Sequence, residues 1–126
     1  MAAAKLKLFI EQGSTYRKTL TWQAGTPPVP VDLSGCTARM HIRDEIASAT
    51  ILLSLTTENT YLTLEALAGT INLYLPASIT AAITWETAVY DIEIVFPAQL
   101  SGTTLLEPDV QRLVYGQVST SLEVTR

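Results

Sequence analysis

Few residues in this chain can carry ligating or catalytic chemistry. There is one cysteine, Cys36, and one histidine, His41. A lone thiol excludes an internal disulfide framework and a cysteine zinc cluster, which need several sulfurs at defined spacings. A lone imidazole, with no G-x-S-x-G element, leaves nucleophilic triad chemistry without its parts. The glycines stand singly at turns, so no phosphate-cradling loop is present. Charge is scarce, at 16% of residues, against about 25% in an average soluble domain. The balance is acidic, with net charge −4 and a pI near 4.8. A basic stripe of the kind that neutralises phosphates is missing, which argues against a nucleic-acid binder. No run reaches the ~20 apolar residues of a membrane helix. The start, M-A-A-A-K-L-K-L-F-I-E-Q-G, lacks the apolar stretch of a signal peptide. The expectation is a soluble chain made in the cytoplasm, with no cofactor, no metal, no nucleic-acid partner and no membrane.

What the chain does contain is alternation. In T-A-V-Y-D-I-E-I-V-F (87–96), Ala88, Tyr90, Ile92, Ile94 and Phe96 share one face, and Val89, Asp91, Glu93 and Val95 the other. Period two over this length predicts a half-buried strand. An unpaired buried carboxylate is costly, so Asp91 and Glu93 face out and Tyr90, Ile92 and Ile94 face a core. The length of 126 residues suits one domain, 1–126, with 1–4 as a loose tail.

The other segments read as partners of this strand. Lys5–Glu11 is an edge strand with Leu6, Leu8 and Ile10 inward, blunted by Lys5 and Lys7. Thr15–Gln23 follows, with Tyr16, Leu20 and Trp22 inward. The segment 24–30, A-G-T-P-P-V-P, is a loop, because its prolines remove donors and fix φ. Cys36–Asp44 points Cys36, Ala38, Met40 and Ile42 into the core, and Thr37, Arg39, His41 and Arg43 outward. Ile46–Leu55 is extended, with Ile51, Leu53 and Leu55 inward. Tyr61–Leu64 and Thr70–Leu75 are short strands, and Pro76 opens a brief helix in which Ile79 and Ile83 close one end of the core. The stretch 97–109 is a long loop with a small hairpin at its tip. Val110–Ser119 is the last strand, which Leu122 and Val124 extend. The fold class that follows is all-β: a single antiparallel, immunoglobulin-like β-sandwich of about seven strands with one short helix. In that order the strands 36–44 and 87–96 are neighbours, setting Arg39 and Arg43 against Asp91 and Glu93.

Two constellations merit weighing for chemistry. Asp91 and Glu93 share a face roughly 7 Å apart by strand rise, near the lower end for an inverting glycosidase pair. Any two alternating solvated acids stand at that spacing, and the adjacent Val89 and Val95 offer no burial to raise either pKa. His41 reads as a surface strand histidine, since Arg39 and Arg43 oppose both a metal cation and a protonated ring. Tyr61, Tyr74, Trp85 and Tyr115 are the aromatics left over for a sugar-stacking platform, the basis of an alternative reading as a carbohydrate-binding module.

Four stretches read together carry a resemblance: I-E-Q-G-S-T-Y-R-K-T-L-T-W (10–22), V-D-L-S-G-C-T-A-R-M-H-I-R-D (31–44), A-V-Y-D-I-E-I (88–94) and R-L-V-Y-G-Q-V-S-T-S-L-E-V-T-R (112–126). In this order the chain resembles small virion proteins of tailed bacteriophages, and the N-terminal, virion-anchoring β-sandwich domain of phage baseplate upper proteins. The block D-L-S-G-C-T-A-R-M-H-I-R is the most specific part. The resemblance implies a structural component of the virion, an adaptor in the tail or baseplate, with other virion proteins as partners and no catalytic residues. A capsid decoration protein is the alternative within that class. No receptor-binding module is expected to follow the domain.

Composition points the same way. Hydrophobic residues make up 48% of the chain, more than one sandwich core readily hides, and exposed apolar surface marks interaction sites. A multi-copy or homo-oligomeric part is expected. Its contacts are the terminal segments, through Leu6, Leu8, Ile10, Leu122 and Val124, because edge strands offer free backbone groups. The loops at 24–30 and 97–109 are the alternative contacts, because Pro27, Pro28 and Pro30 in the first reduce the entropy lost on docking.

Overall fold

Alternation becomes strand from the first described residues onward. The structure is a computed structural model and describes residues 3–125. Ala4–Lys5 (β1) and Leu8–Glu11 (β2) open the chain, followed by Tyr16–Thr21 (β3). Gln23–Ala24 (β4) and Val29–Pro30 (β5) pair as a small ribbon. Then come Thr37–Arg43 (β6), Leu53–Thr56 (β7), Leu62–Glu65 (β8) and Thr70–Leu75 (β9). The helix Ala77–Ala81 (α1) precedes the long central strand Thr87–Val95 (β10). Leu100–Ser101 (β11) and Thr104–Leu105 (β12) form a hairpin, and Val110–Ser121 (β13) is the last strand.

Two sheets face each other. One has the order β7-β6-β10-β13, with β1 and β2 both on the outer edge of β13. The other has the order β3-β9-β8. This is the immunoglobulin-like arrangement, in which two sheets of hairpin-linked and crossing strands enclose one core. All pairings between long strands are antiparallel except those of β1 and β2, which run parallel to β13. The inward faces meet in a single core containing Met40, Ile42, Ile92 and Ile94 from one sheet and Leu62, Ile71, Leu73 and Leu75 from the other. Each such side chain contributes roughly 1.5–3 kcal/mol by leaving water.

One end of the sandwich is stitched by polar groups. The Thr80 hydroxyl of α1, fully buried, donates to the Ser14 carbonyl at 2.8 Å. The Gln12 carboxamide donates to the Ile83 carbonyl at 2.6 Å and accepts from the Glu123 amide at 2.8 Å. Pro76 sits at the N-cap of α1, one place before the expected first turn. Its missing N–H costs nothing there.

Several expectations are corrected. Ala4 belongs to a strand, paired with Val114, and not to a tail; Met1 and Ala2 lie outside the described residues. The segment 24–30 forms most of a ribbon, with Gln23 opposite Pro30 and Ala24 opposite Val29, because proline can still accept on a short exposed ladder. Ile51 is 42% exposed, since the extended strand starts only at Leu53. Cys36 is only partly buried, at the border of the core. Leu122 and Val124 lie beyond the end of β13 and are exposed, so they do not extend it.

Candidate functional site

The outer face of the larger sheet gathers charged groups of both signs into cross-strand rows. Along one row Lys5, Tyr115, Asp91 and His41 are successive partners on β1, β13, β10 and β6. The row toward the stitched end holds Gln117, Val89 and Arg43, and the row on the other side holds Arg112, Glu93 and Arg39. These side chains other than Arg39, with Ile46 at the rim, line an open groove of about 470 Å³.

Arg39 faces Glu93, as expected, and its Nε donates to Glu93 Oε1 at 2.8 Å. The second expected pair is displaced: Arg43 faces Val89, Asp91 faces His41, and Arg43 Nη1 donates to the Ser48 carbonyl at 3.0 Å. The cause is register, since strict antiparallel pairing lets only one of the two arginines fall opposite an acid.

Asp91 departs from the sequence reading in a second way. Its pKa is raised by burial, with the Glu93 charge adding and Arg112, His41 and Arg43 opposing. Asp91 lies on a strand with neighbours on both sides, Tyr115 and His41 opposite it, a setting that period-two reading does not see.

Arg112 reaches this face through an irregularity. The β10–β13 register shifts between Ile92 and Glu93, where Ile92 faces Val114 but Glu93 faces Arg112. A bulge of this kind inserts one residue and reverses the side to which the following ones point. Val114, Gly116 and Val118 are buried, so unbroken alternation would turn Arg112 inward. The bulge turns it out, with its guanidinium 4.7 Å above the Tyr115 ring. Arg112 was not singled out from sequence, and Lys5 only as a charge blunting an edge strand. The signal for Arg112 was the apolar doublet Leu113-Val114, which breaks the alternation of the last strand.

The expected aromatic platform does not come together. Tyr74 lies on β9 under Arg17, at 4.8 Å, and Tyr115 lies on β13 of the opposite sheet. Tyr61 and Trp85 are partly buried against the core.

Of the expected assembly contacts, Leu8 and Ile10 are each 2% exposed and belong to the protein's own core. Leu6 is half-buried, its amide donating to the Tyr115 carbonyl at 2.9 Å and its carbonyl accepting from the Tyr90 hydroxyl at 2.7 Å. Leu122 and Val124 are accessible, as are Pro27, Pro28 and Pro30.

A second accessible surface occupies the end opposite the stitched one. Trp22 and Phe96 pack there, ring centroids 5.9 Å apart, and Gly35 lies against Pro97. These contacts place the β4–β5 ribbon and the 97–109 arm at the same end. The arm exposes Leu100 (68%), Leu105 (67%) and Leu106 (46%), and Val29 of the ribbon is exposed as well. Its base is held by Phe96 N–H to the Asp109 carbonyl at 2.9 Å and Leu106 N–H to the Gln99 carbonyl at 2.8 Å.

No family model matches the chain, and no curated protein matches it. Among solved structures, extracellular domains 3–5 of Drosophila OTK match with 12% identity and a TM-score of 0.37, over 90% of this chain. The chain spans about a third of that structure, 32% of its length.

Proposed function

We propose that the protein is a structural component of a tailed-bacteriophage virion, an adaptor of the tail or baseplate that works through contacts with other virion proteins. The observation that carries the assembly part is the arm at 97–109, whose leucines lie on a hairpin held away from the core. Large exposed apolar side chains clustered in this way favour contact with another protein. The virion setting rests on the resemblance of the stretches 10–22, 31–44, 88–94 and 112–126. The sandwich suits the role because its core closes without help from the arm, which leaves the arm free to serve a partner.

The test is the protein content of purified particles. Stoichiometric presence of the chain by quantitative mass spectrometry is the expected result. Absence from particles overturns the virion reading, and binding of the isolated domain on a glycan array would redirect it to a carbohydrate-binding module.

A further inference from the structure

We propose that the groove on the larger sheet is a receptor for the 97–109 arm of a second copy of this chain. This deepens the assembly reading by naming a partner and the two surfaces that meet.

The groove is an electropositive exception on an acidic protein. Glu93 is neutralised by Arg39. Lys5, Arg43 and Arg112 then face one further lining carboxylate, Asp91. Among the described residues none of these three cations has a carboxylate within 4 Å. Its rim adds apolar surface, with Ile46 88% exposed and Val89 half-covered on the floor.

The arm carries the complement in a short compass. In L-L-E-P-D (105–109) two exposed leucines are followed by Glu107 and Asp109. Both acids are exposed and, among the described residues, make no ion pair within the chain. Pro108 between them restricts the backbone, which lowers the entropy lost when the segment is immobilised. Seated in the groove, the leucines meet Ile46 and Val89, and the two acids meet the cations. Opposite charge selects and orients such a contact, while the apolar area supplies most of the affinity.

The contact joins two different surfaces of the chain. The arm leaves the open end of the sandwich, after β10. The groove extends from the Arg112 row to the Arg43 row, toward the stitched end. Two copies that exchange arms make a two-fold dimer, and copies joined head to tail make a ring or a filament.

The test uses the full chain and two charge-reversed variants at exposed positions. Lys5→Glu with Arg112→Glu reverses the groove; Glu107→Lys with Asp109→Lys reverses the arm. Sedimentation velocity at low salt should show wild-type self-association that weakens as salt is raised, since the Debye length is about 10 Å at 0.1 M. Each variant alone should sediment as a folded monomer, with circular dichroism matching wild type. Mixed in equal amounts they should assemble again, because each then presents an arm that fits the other's groove. A monomeric wild type, an arm variant that associates like wild type, or a mixture that stays monomeric overturns the contact. The arm variant lies outside the sandwich and answers the question even if the groove variant fails to fold. None of these outcomes bears on presence in particles, so the contact and the virion reading fail separately.

Discussion

Tyr90 fixes the chain's beginning to its centre. Its ring is buried and its hydroxyl donates to the Leu6 carbonyl at 2.7 Å, tying the β1–β2 junction to β10. Tyr90→Phe should lower stability by about 0.5–1.5 kcal/mol in urea titrations, the usual net worth of such a bond. Burial raises the Tyr90 pKa, with Tyr16 adding, and burial raises that of Tyr16 to about 12. Between the ordinary phenol value near 10 and these raised values the unfolded chain has lost protons that the folded chain keeps. Stability therefore falls as pH rises above about 10, and Tyr90→Phe should flatten that fall in alkaline melting curves. Asp91 works in the acid range with the same sign. Its raised pKa means that the folded chain holds a proton the unfolded chain has released. The contribution is full below the ordinary value of 3.8 and is lost as pH rises through the folded pKa. Asp91→Asn should remove that slope from melting temperatures measured across the acid range.

At the scale of elements, β10 is the member on which the larger sheet depends, because it pairs on both sides and its Ile92 is 0% exposed. Ile92→Ala should cost about 2–5 kcal/mol, the usual range for truncating a fully buried aliphatic side chain. Its cross-strand ion pair is worth far less. Arg39 and Glu93 lie at 2.8 Å with side chains 49% and 33% exposed. A double-mutant cycle should return a coupling of about 0.2–1 kcal/mol, reduced by salt. The attachment of β1 depends on Gly116. A methyl group added there would meet the backbone of Leu6. Gly116→Ala should push β1 off the sheet at a cost of about 1–3 kcal/mol, and hydrogen exchange should show the Leu6 amide losing its protection.

For the molecule as a whole, the two ends of the sandwich differ in kind. One is closed by Thr80, Gln12 and their carbonyl and amide partners, and the other carries the ribbon and the arm. The leucines of the arm are exposed and outside the core. Replacing Leu100, Leu105 and Leu106 by serine should therefore change unfolding free energy by only about 0.5 kcal/mol or less. The same variant should be more soluble and should fail to enter particles. A large loss of stability would mean that the arm packs on the domain and is not held for a partner.

The chain alone determined its class, its central strands and much of its core. The alternation of 37–43, 70–75 and 87–95 fixes which side chains face inward, because one face of each strand must leave water and carboxylates cannot follow. The neighbouring of β6 and β10, and with it the meeting of Arg39 with Glu93, was legible from the immunoglobulin-like strand order. The groove was not. Lys5, His41, Asp91 and Arg112 lie on four strands and become neighbours only through register, which local periodicity does not encode. The bulge that turns Arg112 outward and the parallel docking of β1 and β2 on β13 are also choices of the assembled sheet. A terminal strand with Leu8 and Ile10 on one face fits a partner's sheet or its own equally well by pattern. Only the tertiary structure decided between them: Leu8 and Ile10 are buried in the protein's own core, and Phe9 is the apolar side chain that β2 leaves exposed. The leucines at 100, 105 and 106 have no period at all, and it took the folded arm to show that they stand together in water.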